Sequence, residues 1–340
     1  MSLGGCRLLH NSSLVRPCGN GPCDLCFVLR TSNGKSEAGQ ANNKIPIFVR
    51  KCYKQPMFRL GYNTNGFKSH PLLVTIAILA DIGYRSVAIT LDHNALNPWA
   101  PDIDVQLATV KQLLDRKKMC SVIETGAGFL LDPWKKHRPT LISRSPQGRE
   151  QRLNFLKKAV DIAAVVEAET VSFWAGRPEE GLDLNQARGW LVESCKALCE
   201  YAERYDVALA LEPEPGMLVE SLSDFDQLTS NVDHPRLGLA LDIGHAHLTE
   251  SCPLAETIQR YSEKIRTLHI EDMRRPVHEH LMFGEGEINF WAVLEALNAC
   301  GYTGSICVEL SRHSHDAVNA AKTSFEFLRT VDQAHRNVQP

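Results

Sequence analysis

V-A-L-A-L-E, residues 207–212, and L-G-L-A-L-D, residues 237–242, decide how this chain folds. Each is a short apolar run that ends on a carboxylate, and neither alternates apolar with polar residues, which is the pattern of a strand buried on both faces. Between them lie a P-E-P-G turn (213–216) and a short amphipathic helix, Ser223–Ser230. A helix between two such runs makes the strands parallel. The same unit recurs in both directions. Upstream are Phe58–Tyr62 with helix Leu72–Ile82, Ser86–Leu91 with Asp104–Lys117, Cys120–Glu124 with Arg149–Glu167, and Thr170–Trp174 with Gln186–Tyr205, which leads into Val207–Glu212. Downstream, Leu237–Asp242 is followed by helix Leu254–Tyr261, Ile265–Ile270 by Phe290–Cys300, and Ser305–Leu310 by Ala317–Val331. Eight strand–helix units predict an α/β chain closed into a (β/α)8, or TIM, barrel. Residues 57–340, 284 in all, suit one such domain. A doubly wound open sheet is the fold alternative, but no G-x-G-x-x-G follows the first strand.

The 340 residues are 44% hydrophobic and 23% charged, ordinary for a soluble globular protein. No apolar run approaches a membrane span, and polar residues follow Leu8 and Leu9, so no secretory h-region forms. Eleven cysteines in a chain of this length read as free thiols in a reducing compartment, and the expected location is the cytoplasm. Residues 1–56 are a low-complexity N-terminal extension rich in Gly, Ser, Asn and Pro, expected to be disordered, and Met57 is an alternative start. Cys18, Cys23 and Cys26 have a spacing like that of plant-type iron–sulfur ligands, but the surrounding loop pattern is absent. The extension holds eight Lys/Arg against two Asp/Glu, and the remainder 29 against 38, a balance of −9. An acidic body disfavours nucleic acid as a partner.

In a barrel of this kind, catalytic groups stand at the C-terminal ends of the strands. Read in turn, those ends carry His93, Glu124, Trp174, Glu212, Asp242 with His245 three residues on, His269, and Glu309 with Arg312 after it. A lone carboxylate there is commonly a helix cap, and a lone histidine a hydrogen-bonded structural residue. Glu212, Asp242, His269 and Glu309 come from four successive strand ends, each within an apolar run. Ionised carboxylates in such places are costly unless paired or metal-bound. Three carboxylates and an imidazole suit a divalent cation, Mn²⁺ or Mg²⁺ first, with Co²⁺ or Zn²⁺ as further candidates.

The segments L-E-P-E-P-G, L-D-I-G-H, L-H-I-E-D, H-L-M-F-G-E-G-E-I-N-F and V-E-L-S-R together resemble the xylose-isomerase-like barrel superfamily over about residues 57–335. That group includes sugar and sugar-phosphate isomerases and epimerases, hydroxypyruvate isomerase, inosose dehydratase and type IV apurinic endonucleases. In its epimerase branch the resemblance implies that Glu212, Asp242, His269 and Glu309 hold one metal. Glu212 and Glu309 also move substrate protons, and His245 and His280 contact the substrate. The endonuclease branch implies three zinc ions and an acid-x-His pair where this chain has His278-Glu279-His280, so His245, His278 and His280 form a second candidate metal site. That branch also carries more histidines on the early strands; here the third and fourth strands end in Glu124 and Trp174.

The expected reaction is proton abstraction beside a carbonyl, through an enediolate, on a sugar, sugar phosphate or related polyol ketone. Glu212 and Glu309 are the catalytic pair. His245, His280, Arg312, Trp174, Glu124 and His93 are the substrate contacts. Trp134 and Trp174 offer ring faces for stacking, and Lys135, Lys136, His137 and Arg144 in the loop 126–147 offer positive charge. Gly284 and Gly286 let the chain turn sharply behind His278 and His280. The alternatives are a dehydratase or lyase on the same barrel, a zinc phosphodiesterase, and a non-catalytic metabolite-binding barrel. The expected partners are a small carbohydrate and, as a further option, a second copy of the chain.

Overall fold

The computed structural model describes residues 58–338. The readings placed on residues 1–56 and on Met57 lie outside them. Eight strands, all parallel, close into a barrel: β1 (Arg59–Asn63), β2 (Ser86–Thr90), β3 (Cys120–Glu124), β4 (Thr170–Trp174), β5 (Ala208–Glu212), β6 (Leu237–Asp242), β7 (Ile265–Ile270) and β10 (Ser305–Val308). Closure is the pairing of β10 with β1, Gly61 opposite Cys307. Outside run α1 (Leu72–Ile82), α2 (Ile103–Lys117), α3 (Pro146–Val166), α4 (Leu184–Glu203), α5 (Leu222–Val232), α6 (Ile243–Thr249), α7 (Leu254–Tyr261), α8 (Phe290–Ala299) and α9 (Ala317–Val338).

The strands alternate by size. Large side chains such as Val87, Ile89, Leu209, Leu211, Leu239 and Leu268 join the main core with Phe155, Leu198 and Phe225 of the helices. The positions between them face the barrel axis by strand alternation, and Ala88, Val122 and Cys307 form a separate buried cluster there. The interior is tight: a Cβ on Gly61 would meet Cys307 Sγ and Ser86 Cβ. The same alternation carries the inward set to the rim as Asn63, Thr90, Glu124, Trp174, Glu212 and Asp242. A bulge between β6 and β7 pairs Ala240 with Thr267, skipping Arg266, and so brings His269 opposite Asp242. At the other end, Ser86 bonds Ser305, and Ser305 and Arg59 both bond Glu169 (2.6 Å each).

Three local features depart from the sequence reading. Helices α3 and α4 begin ahead of Arg149 and Gln186, because Ser145 and Asp183 cap them through the backbone amides of Gly148 and of Asn185 and Gln186. A helix, α6, starts directly on Asp242, which caps it. The segment read as a histidine-bearing loop is an antiparallel hairpin, β8 (Asp272–Arg274) with β9 (Val277–Leu281).

Candidate active site

Four strand ends deliver one cluster. Ligand atoms of Glu212, Asp242, His269 and Glu309 all lie within 4.8 Å of one another. His269 Nδ1 is 3.1 Å from Glu212 Oε1 and 3.1 Å from Glu309 Oε2. Its Nε2 is 2.9 Å from Glu124 Oε1. A carboxylate behind the imidazole fixes the ring and leaves Nδ1 to face the cluster. Asn65 donates to Glu309 Oε1 at 2.7 Å and orients that side chain in turn.

A second cluster adjoins the first. His278 and His280 alternate on β9, so both face the barrel mouth, while Glu279 between them turns outward to pair with Arg312. His278 Nε2 is 2.9 Å from His245 Nε2, and the three rings of His245, His278 and His280 can offer nitrogens within 4.8 Å of one another. Asp242, Glu271 and His280 form an overlapping group, so Asp242 belongs to both clusters. The turn behind β9 is held by Asp272, which accepts from the amides of Met273, Gly284 and Ile288. A Cβ on Gly286 would collide with that carboxylate, and Gly284 has φ +91°, so the two glycines meet separate demands.

Burial is the strongest influence on this region's titration. It pushes Glu212 and Glu271 well above the usual carboxylate range, with Glu309 and Asp242 adding to it. Burial and the same two carboxylates push Glu214 up to about 7. Burial also acts on Asp242, but His245, His280 and His269 outweigh it and hold that carboxyl below the usual range. Burial pushes His245 down to about 4. It opposes a charge on His269 too, yet Glu124, Glu212 and Glu309 hold that imidazole well above its usual value. Asp242 Oδ2, Glu271 Oε2 and His245 Nδ1 are buried with no hydrogen-bond partner. Two of these atoms lie within ion-pair reach of a neighbour instead, His245 Nδ1 3.6 Å from Glu212 Oε1 and Glu271 Oε2 3.8 Å from His280 Nδ1. The donor set, carboxylates with imidazoles, fits a divalent cation.

The cluster opens into a cavity of about 200 Å³. Glu124, Trp174, Glu212, His245, His280 and Glu309 line it. The other expected contacts sit elsewhere. His93 is exposed and lines a neighbouring cavity. Arg312 is exposed, bound to Glu279 on the outer face of β9, and is not among the lining residues; the register of β9 turns it away. Trp134 is 88% exposed. Glu124, expected to touch substrate, lines the cavity but is bonded to His269. Trp174 stacks its ring against the buried Arg152 guanidinium, 4.4 Å from its centroid. Asn63, Asn65, Lys68 and Glu271 went unassigned in the sequence. Asn63-x-Asn65 at the end of the first strand was the available signal for two of them.

Residues 76–331 match the family profile of the xylose isomerase-like TIM barrel. The chain is 29% identical over 165 residues to fructoselysine 3-epimerase of Shigella flexneri, covering 48% of this chain and 59% of that one. It is 26% identical over 197 residues to L-ribulose-5-phosphate 3-epimerase UlaE of Shigella flexneri serotype 5b, covering 56% and 67%. Among solved structures, the zinc-bound IOLI protein superposes with a TM-score of 0.67 at 20% identity, covering 82% of this chain and 99% of that one. A D-allulose 3-epimerase from Methylomonas sp. superposes at 0.65 and 18% identity, covering 81% and 98%. At those identities the likeness is one of fold, and the matched family segment takes in every strand of the barrel from β2 to β10. The chain belongs to the xylose isomerase-like TIM-barrel family.

Proposed function

We propose that this chain is a divalent-metal-dependent epimerase or isomerase of a ketose sugar. The observation that carries the reading is the meeting of Glu212 and Glu309 at one imidazole nitrogen, each 3.1 Å away, from strands on either side of β6 and β7. Glu212, Asp242, His269 through Nδ1, and Glu309 would hold the ion. When bound, it would supply Lewis acidity and offset negative charge gathering on the substrate oxygens. One of the two carboxylates, Glu212 or Glu309, takes the proton from the carbon beside the carbonyl, and the substrate becomes an enediolate. Delivery of a proton to the opposite face by the other carboxylate, which enters the cycle protonated, epimerises that carbon; return of the abstracted proton by the same carboxylate to the neighbouring carbon isomerises the sugar. Glu124 keeps His269 in the required tautomer, Asn65 holds Glu309, and Trp174 forms a wall of the cavity. The two related 3-epimerases named above support this class of substrate. Elemental analysis of protein purified without chelator should find about one equivalent of Mn, Co, Mg or Zn, lost in Glu212→Gln and Glu309→Gln. No metal under any loading condition contradicts the reading.

A second cation is the specific further option. His245 and His278 share a hydrogen bond of 2.9 Å between their Nε2 atoms, which a cation would replace, and Asp242 with Glu271 lies beside them. Two cations would suit phosphoester hydrolysis. The balance of −9 over residues 57–340 argues against a nucleic-acid substrate. Two or three zinc ions, with cleavage of abasic DNA, would favour this option over the epimerase.

A further inference from the structure

A second cavity, about 350 Å³, opens beside the first. The two share Asn65, Lys68, Thr90, Asp92, Gly128 and Lys136 in their walls. Thr90 is the last residue of β2, and the others lie in the segments that follow β1, β2 and β3. Around the ring, β1 stands opposite β5 and β2 opposite β6. A ligand whose reacting end lies against Glu212 and Glu309 therefore runs its other end toward this second space.

The chemistry of that space is cationic. Lys68 and Lys136 are exposed, and neither ammonium has a hydrogen-bonded or ion-paired partner among the described residues. Helix α1 starts in the same wall at Leu72, and its N-cap, Pro71, offers no side-chain acceptor to the first-turn amides. Nδ1 of His70, also in the wall, is buried without a partner. The facing carboxylate in this wall is Asp92, whose Oδ1 already accepts the His93 amide and which offsets one lysine; Glu214, in the wall of the first cavity, attracts Lys136, but burial pushes that carboxyl up to about 7 and so weakens its charge. The rest of the wall, with Phe67 and Phe129, is apolar enough to seat a carbon chain. Ammonium groups with no bonded partner in the wall of a cavity favour an anion.

We propose that the second cavity binds the anionic far end, a phosphate or a carboxylate, of an acyclic ketose. This rests on the sugar reading above. The test uses glucitol, glucitol 6-phosphate and gluconate, which carry no ketone and so report binding apart from turnover. Their affinities are measured by calorimetry on the full metal-loaded chain, at low and high salt. The wild type should bind at least one of the two anions about tenfold more tightly than glucitol, a gain within the range of two exposed ion pairs. Whichever anion gains names the group. The gain should shrink in high salt and vanish in Lys68→Met/Lys136→Met, whose melting temperature should not move because neither side chain is bonded. Single variants, each expected to lose part of the gain, serve if the double variant misfolds. Equal affinity for all three ligands in the wild type overturns the proposal, and so does a preference that survives the double variant. A preference for the anion without deuterium exchange into any ketose would leave the subsite standing and remove the epimerase reading. Exchange into neutral ketoses with no such preference would do the reverse.

Discussion

His269 is held from both edges of its ring, and that is what makes it usable as a ligand. Glu124 takes Nε2 at 2.9 Å, so Nδ1 is left facing Glu212 and Glu309. Glu124→Gln keeps the size of the side chain and removes the charge that orients the imidazole. Metal affinity should fall about 10- to 100-fold, as for other partners behind a ligand. Competition with a chelating dye would measure it, and an unchanged affinity would show that Glu124 does not act through His269. The four ligand candidates were legible in the sequence because each lies within an apolar run near a strand end, where a carboxylate or imidazole needs a reason. The role of Glu124 was not legible, because the same rim position serves a substrate contact or a partner to another side chain. Arg312 misled for a related reason: nearness to Glu309 in sequence says nothing about which face of a neighbouring strand it meets.

At the scale of elements, the hairpin β8–β9 decides what the mouth of the barrel contains. Its strand phase sends His278 and His280 inward and Glu279 outward, and the Asp272 carboxylate pins the following turn through three amides. Gly286→Ala would press a methyl into that carboxylate. The expected cost is about 1–3 kcal/mol, the range for inserting a methyl into a packed site. Urea unfolding would read it, and a variant as stable as wild type would mean that the turn relaxes freely. The barrel strands announced themselves as apolar runs. The hairpin did not, because β9 is half-buried and reads V-H-E-H-L, with little β-branched content. The starts of α3 and α4 were missed because caps are polar and leave no trace in hydrophobic periodicity.

For the whole molecule, the closed ring is what brings distant sequence together, with Glu124 and Glu309 meeting at one histidine across most of the chain. Eight units predicted that closure, and the barrel from β1 to β10 has it. Because the donor cluster draws on β5, β6, β7 and the chain after β10, a bound cation ties half of the ring together. Binding only to the folded state should stabilise it by about 2.7 kcal/mol at a hundredfold excess over Kd. Chelator should therefore lower the melting temperature, and Glu212→Gln/Glu309→Gln should remove that dependence; a melting temperature indifferent to metal in the wild type would contradict a resident ion. Proton transfer at a ketose carbon by Glu212 and Glu309 would be read by incubating metal-loaded protein with a panel of ketoses and ketose phosphates in D₂O. One deuterium should be fixed at a carbon beside the carbonyl, abolished by chelator and reduced about 10²–10⁴-fold in Glu212→Gln or Glu309→Gln. Metal bound with no exchange into any of them, or exchange that persists when both carboxylates are replaced, would contradict it.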